Sequence, residues 1–179
     1  MANSGLWVGV LTALTALGAS YITARATSRA ALAQARTIAR AQDVREQRDR
    51  RRSTYRELMT CVHAFSEVVW QIDAVDAAGD RADRDRILAQ MYERIGPVIG
   101  DMSKALREVR LDGPAEVSTA AEQVRHRARR VQSLLKALMG DDDPERRHEY
   151  DAAYQEFRNA HLAFVDRARR ALEVRDDEG

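Results

Sequence analysis

The sequence predicts an all-α protein, with an N-terminal transmembrane helix continuing into a helical stalk and an antiparallel four-helix bundle. Three observations point there. Residues 1–24 contain no charged side chain. Beyond residue 53, apolar residues recur at alternating steps of three and four, the repeat of a helix buried on one face. The 179 residues include only three Pro and nine Gly, too little punctuation for many short strands. The proportions of 45% hydrophobic and 32% charged residues argue against a wholly disordered chain.

Residues 1–4 are read as an extracytoplasmic tip and 5–24 as the membrane span, GLWVGVLTALTALGASYITA. As a helix this run is about 30 Å long, the hydrocarbon thickness of a bilayer. Trp7 and Tyr21 stand near its ends, where interfacial aromatics sit. A cleaved signal peptide would carry basic residues before the apolar run. Here MANS precedes it, and Arg25, Arg29, Arg36 and Arg40 follow. By the positive-inside rule the N-terminus faces out and the remaining mass is cytoplasmic. A lone thiol, Cys61, fits that compartment. Gly5, Gly9 and Ala13, with Ala16 and Ser20 close to the same face, have the small-residue spacing through which membrane helices pack. They form a candidate homodimer contact.

Residues 25–52 form the stalk. They are rich in Ala, Arg and Gln, all good helix formers, and their net charge is +6, from nine Arg against Asp43, Glu46 and Asp49. No Gly or Pro occurs between Ser20 and Ala78, so one helix can run from the span into the bundle. A fully helical stalk would be about 40 Å long. Arg25, Arg29, Arg36 and Arg40 fall within roughly 60° on a helical wheel, a candidate contact with anionic lipid head groups. The plainer reading is a solvated face that also sets topology. Leu32, Ile38 and Val44 point in different directions, so no apolar face exists for lying flat on a membrane. Arg48, Arg50, Arg51 and Arg52 enclose Asp49 and have no interleaved aromatics, which argues against nucleic acid. The overall balance of 29 basic and 28 acidic residues argues the same way.

Residues 53–175 form the bundle. Its first seam is Leu58, Val62, Phe65, Val69 and Ile72. The second runs Leu88, Met91, Ile95, Val98, Met102, Ala105 and Val109. Val117, Ala121, Val124, Ala128, Val131, Leu135 and Leu138 make the third. Tyr154, Phe157, His161, Phe164, Ala168 and Ala171 make the fourth. Gly79 ends the first stretch, and Asp80 or Asp83 caps the second. Asp112-Gly113-Pro114 separates the second from the third, and Gly140 ends the third. Asp143-Pro144-Glu145 opens the fourth, with acidic groups favourably placed against the helix dipole. Short connections make neighbours antiparallel. Gly96-Pro97 sits inside the second stretch while the apolar register continues, so a kinked helix is expected. Residues 176–179 are an acidic tail.

Signals for chemistry are sparse. A bundle di-metal site takes two Glu-x-x-His pairs, and this chain has one, Glu145 to His148, at a helix start. His63 and Glu67 are four apart on one helix, too few ligands for a metal, and no metal is expected. His126 lies within an exposed-looking HRARR segment. His161 falls on the predicted seam between Phe157 and Phe164. It is read as a hydrogen-bonded core histidine, or alternatively as a ligand-binding or pH-sensing position. Cys61 flanks the first seam as a small hydrophobe, and one Cys excludes an intrachain disulfide framework. There is no Gly-rich phosphate loop, no nucleophile elbow and no metal-spaced Cys/His cluster. Neither catalysis nor a cofactor is expected.

The segments TARATSRAALAQARTIARAQDVREQRDRRR and VRLDGPAEV, behind an uncharged N-terminal span, carry a resemblance of style over most of the chain. It resembles uncharacterised, membrane-tethered helical-bundle proteins of high-GC Gram-positive bacteria, a source that 27 Arg against two Lys also fits. The resemblance implies a tethered helical fold and transfers no functional residue. The leading functional expectation is a membrane-anchored interaction module with a protein partner, the lipid bilayer and, through the span, a second copy as partners. The alternatives are a sensor binding a small ligand between helices near His161 and the Pro97 kink, and a mechanical stalk similar in topology to the peripheral stalk of rotary ATPases. An interaction module needs an exposed apolar patch, and a sensor needs a cavity of a few hundred Å³.

Overall fold

In the computed structural model, backbone is described for residues 3–140 and 143–173, and side chains for Arg25, Thr27, Ser28, 31–140 and 143–173. These residues form helices joined by short turns. α1 spans Asn3–Val69, α2 Ile72–Asp76, α3 Arg81–Asp112, α4 Ala115–Leu138 and α5 Pro144–Glu173. No strand occurs among the described residues. The chain divides into two compact units, residues 1–46 and 47–179. In the first unit the side chains of Arg25, Arg36 and Arg40 are exposed. Among the described residues no helix is long and apolar enough to cross a membrane. The uncharged run 5–24, with Gly5, Gly9, Ala13, Ala16 and Ser20, lies outside the described side chains, as do Arg29 and the acidic tail.

In the second unit α3 packs on α4 and α4 on α5. The C-terminal part of α1 completes the bundle. Its Tyr55 ring meets Phe164 edge-on at 6.1 Å, its Phe65 ring lies 4.7 Å from Phe157, and its Val69 carbonyl accepts from the Tyr150 hydroxyl at 3.5 Å. As α1 rises from 55 to 69 its neighbour on α5 falls from 164 to 150, so the two run antiparallel. The Arg51 side chain meets Asp112 at the far end of α3, so α1 and α3 are antiparallel too. The result is an up-down-up-down bundle.

The seams on α1 and α4 are buried throughout. On α3, Ile99 is buried where Val98 was expected, and Val98 is half-buried beside it. On α5 the buried line is Tyr150, Ala153, Phe157, Phe164 and Ala168, whereas Tyr154, His161 and Ala171 flank it half-buried. The seam is therefore one position removed from the expected line at Tyr154. Tyr150 takes the core position in the second turn and aims its hydroxyl at the end of α1, which leaves Tyr154 to face outward. Each fully buried Leu, Ile, Phe or Met contributes about 1.5–3 kcal/mol.

The first stretch ends earlier than Gly79. α1 stops at Val69, a turn follows at Trp70-Gln71, and α2 adds one short element. A straight continuation would carry Asp76 onto the seam one turn after Ile72. The break instead turns Ile72 and Val75 onto the end of the core and leaves Asp73 and Asp76 exposed. The remaining boundaries follow local chemistry. Asp80, in extended conformation, accepts from the Asp83 amide at 2.8 Å and caps α3. Asp143 accepts from the Glu145 amide at 2.9 Å ahead of α5. Gly140 takes φ +88°, the left-handed conformation that ends α4 and that only glycine adopts without strain. α3 runs through Pro97 without interruption, and Gly96, Pro97 and Gly100 all face outward.

Candidate functional site

The outer face between α1 and α5 holds a groove of about 270 Å³. Helical spacing builds both of its walls. His63, Ser66, Glu67 and Trp70 recur on one side of α1, just outside the Val62–Phe65–Val69 seam. Tyr154, Arg158, His161 and Leu162 do the same on α5, and Phe157 forms the floor.

Trp70 is the most conspicuous element. It is a 68%-exposed indole in the turn just past α1, and its Nε1 donates to the Tyr154 hydroxyl at 2.5 Å. Tyr154 in turn stacks on Phe157 at 6.2 Å, and Phe157 rests on Phe65. The exposed ring is thereby tied to the core through three aromatic neighbours. Leu162, 60% exposed, stands toward the other end of the groove, with Met59 exposed on the opposite wall's helix. Exposed Trp, Leu and Met on one face are what a docking surface requires.

His161 lies half-buried on this wall, not on the seam. Burial lowers its proton affinity below that of a free histidine. His63 Nε2 is 3.4 Å from Glu67 Oε1, and both side chains are largely exposed. The sensor expectation joined His161 to Pro97, and the structure separates them: the groove is lined by α1, its Trp70 end and α5 alone, and Pro97 is exposed on α3.

A second, polar cleft of about 620 Å³ opens at the end of the bundle formed by α2 and the starts of α3 and α5. Its charges neutralise one another. Arg147 binds Asp76 at 2.9 Å and pairs with Asp151, and Arg81 donates to the Gly140 carbonyl at 3.0 Å. Burial opposes the Arg147 charge, but hydrogen bonds to Asp76 and Asp151 outweigh it and hold the guanidinium protonated. The Arg147 guanidinium also lies 5.6 Å from the Tyr150 ring centre. These contacts fasten α2 to α5. His148 lines this cleft, and no group of three His, Cys, Asp or Glu suited to a metal occurs among the described residues. Cys61 is half-buried, and burial, with Asp101 and Glu57 nearby, pushes its thiol up, away from the reactive thiolate.

Sequence reasoning singled out His63, Glu67 and His161 but not the groove that joins them. The available signal was Trp70, which follows Val68-Val69 directly and falls off the seam. No family model, no curated protein and no solved structure matches this chain.

Proposed function

We propose that this chain is a single-pass, membrane-tethered helical module that acts by protein–protein interaction, with the bundle held at the cytoplasmic face. The observation that carries the tether is the order of charges along α1. An uncharged run of 20 residues comes first, and the next charged groups are all Arg up to Asp43. The observation that favours interaction over chemistry is the α1/α5 groove with its exposed Trp70 and Leu162. A ligand-binding sensor is the second reading, supported by the same groove, whose His63, Glu67 and His161 supply polar groups at a concave apolar surface.

The test is fractionation of the full chain carrying a C-terminal tag. The chain is expected to stay with membranes through alkaline extraction, with the tag protected from protease added outside intact cells. Deletion of residues 1–24 should release it. Release of the full chain at high pH, or cleavage of the tag from outside, would refute the tethered topology.

A further inference from the structure

We propose that the α1/α5 groove is a self-complementary face through which two copies of this chain pair about a two-fold axis running along the bundle helices. A two-fold contact places the same patch on both partners, so each residue must find its complement elsewhere in that patch. With the axis along the helices and in front of the groove, α1 of one copy faces α5 of the other at the same level. The first helices of both copies then run in the same direction, as two chains anchored in one membrane require. In that respect the inference rests on the tethered reading.

The levels are fixed by the pairs Tyr55–Phe164 and Phe65–Phe157 within one bundle. They place Met59 beside Leu162, His63 beside Arg158, and Trp70 within about a turn of Tyr154. Across the two-fold, Met59 therefore meets the partner's Leu162, an apolar match between two exposed side chains. Trp70 faces the partner's Tyr154 end of the groove, where an aromatic ring has aromatic floor to cover. Glu67 lies about a turn above the partner's Arg158. Side chains on a helix lean toward its N-terminus, so Glu67 leans down along α1 and the partner's Arg158 leans up along α5. They converge as opposite charges, and the symmetry makes this pair twice. Three matches therefore arise across the two-fold: apolar with apolar, aromatic with aromatic, carboxylate with guanidinium.

The pairing predicts a pattern that a general docking surface does not. Glu67→Arg alone sets two cations opposite each other at both sites, and Arg158→Glu alone sets two carboxylates. Each single variant is expected to weaken self-association of the detergent-solubilised full chain at least tenfold. The double variant is expected to recover to within about threefold of the original. An equimolar mixture of the two single variants should pair with each other, because one site is then reversed and the other is native. Trp70→Ala should weaken association without restoring it in any combination.

Sedimentation equilibrium reads the association, and circular dichroism confirms that the exposed-site variants remain folded. A chain that is monomeric at every concentration would overturn the proposal. So would a dimer that ignores both charge reversals and dissociates on Gly9→Leu, since that assigns pairing to the 5–24 run. Loss in each single variant without recovery in the double or the mixture would also overturn it, and would turn the groove over to another protein or ligand. Alkaline extraction is scored separately: release of the full chain at high pH refutes the tether, and pairing of the released chain leaves the interface standing.

Discussion

Arg51 Nε donates to the main-chain carbonyl of Asp112 at 2.7 Å, so a side chain from α1 caps the C-terminus of α3. Thr54 Oγ1, three residues on, donates to the Asp112 carboxylate at 3.1 Å. Together they close the end of the bundle at which the α1 segment enters. Asp112 is thereby read twice, once through its carbonyl and once through its side chain, and the Asp-Gly-Pro turn behind it is held against α1.

The turn has no room for a larger residue. A Cβ at Gly113 would come within 2.7 Å of the Val109 carbonyl oxygen and 3.0 Å of the Tyr55 hydroxyl. Gly113→Ala is expected to destabilise the fold by about 1–3 kcal/mol, because the Val109 oxygen belongs to the helix backbone and cannot yield. Tyr55→Phe should do the opposite. The Tyr55 hydroxyl is buried without a hydrogen-bond partner, while its ring packs on Phe164. Removing the oxygen keeps the packing and relieves a desolvation cost, for a gain of about 1 kcal/mol. Chemical unfolding of the full chain in detergent measures both. A destabilising Tyr55→Phe would show that the hydroxyl is satisfied.

Gly96 and Pro97 weaken α3 on its outer face, where nothing in the packing requires them. Nothing lies within 4 Å of a Cβ at Gly96 or at Gly100, and neither has positive φ. Gly96→Ala and Gly100→Ala should each stabilise by about 0.5–1 kcal/mol, through the lower entropy of the unfolded chain. Pro97→Ala restores the donor missing opposite the Glu93 carbonyl and should add about 1–2 kcal/mol. Thermal unfolding of the three single variants tests this. A loss at any one of them would mean that the residue serves a packed or bent state.

The four bundle helices were legible because three-four spacing survives wherever one helix face is buried, and Leu58 to Val69 or Val117 to Leu138 keep it without exception. Asp80 and Gly140 were legible because capping is local chemistry. The end of α1 was not, because Gln71 breaks nothing by itself. The turn there comes from what Ile72 and Val75 bury once the other helices are in place. The groove was hidden for the same reason. Trp70 and Leu162 are 92 positions apart in sequence, and their exposure depends on which flanks of α1 and α5 the bundle leaves uncovered. His161 was misplaced because its three-four register fits the seam as well as that of Tyr150, Ala153 and Phe157 does. The two lines are separated only by which flank of α5 the neighbouring helices bury.

Proton binding at His161 should make the fold acid-sensitive. Burial lowers its proton affinity, so the unfolded chain takes up the proton first as pH falls. Stability is then complete above the ordinary histidine value of about 6.5. It is lost progressively as pH drops from that value to the lower folded one, below which the loss levels off. The titratable or charged groups that line the groove with it are Glu67 and His63 on α1 and Arg158 on its own helix. His161→Gln should flatten the dependence of unfolding free energy on pH between about 7.5 and 5. A variant with the parental slope would assign the acid sensitivity to other groups.

The four arginines of the proposed head-group face should not contribute equally. Along a helix, Arg36 and Arg40 lie about 16 and 22 Å beyond Arg25. That exceeds the Debye length of about 8 Å in physiological salt. Only Arg25 and Arg29 then feel an anionic leaflet, each by about 1 kcal/mol. The exception would be a helix lying along the surface, and Leu32, Ile38 and Val44, all exposed and spread around α1, give it no apolar side to lie on. Native mass spectrometry of the chain released from nanodiscs containing anionic lipid reads the difference. Arg25→Gln with Arg29→Gln should cut retained anionic lipid severalfold, and Arg36→Gln with Arg40→Gln should change it less than about twofold. Equal losses from the two pairs would mean that the stalk follows the membrane surface instead of leaving it.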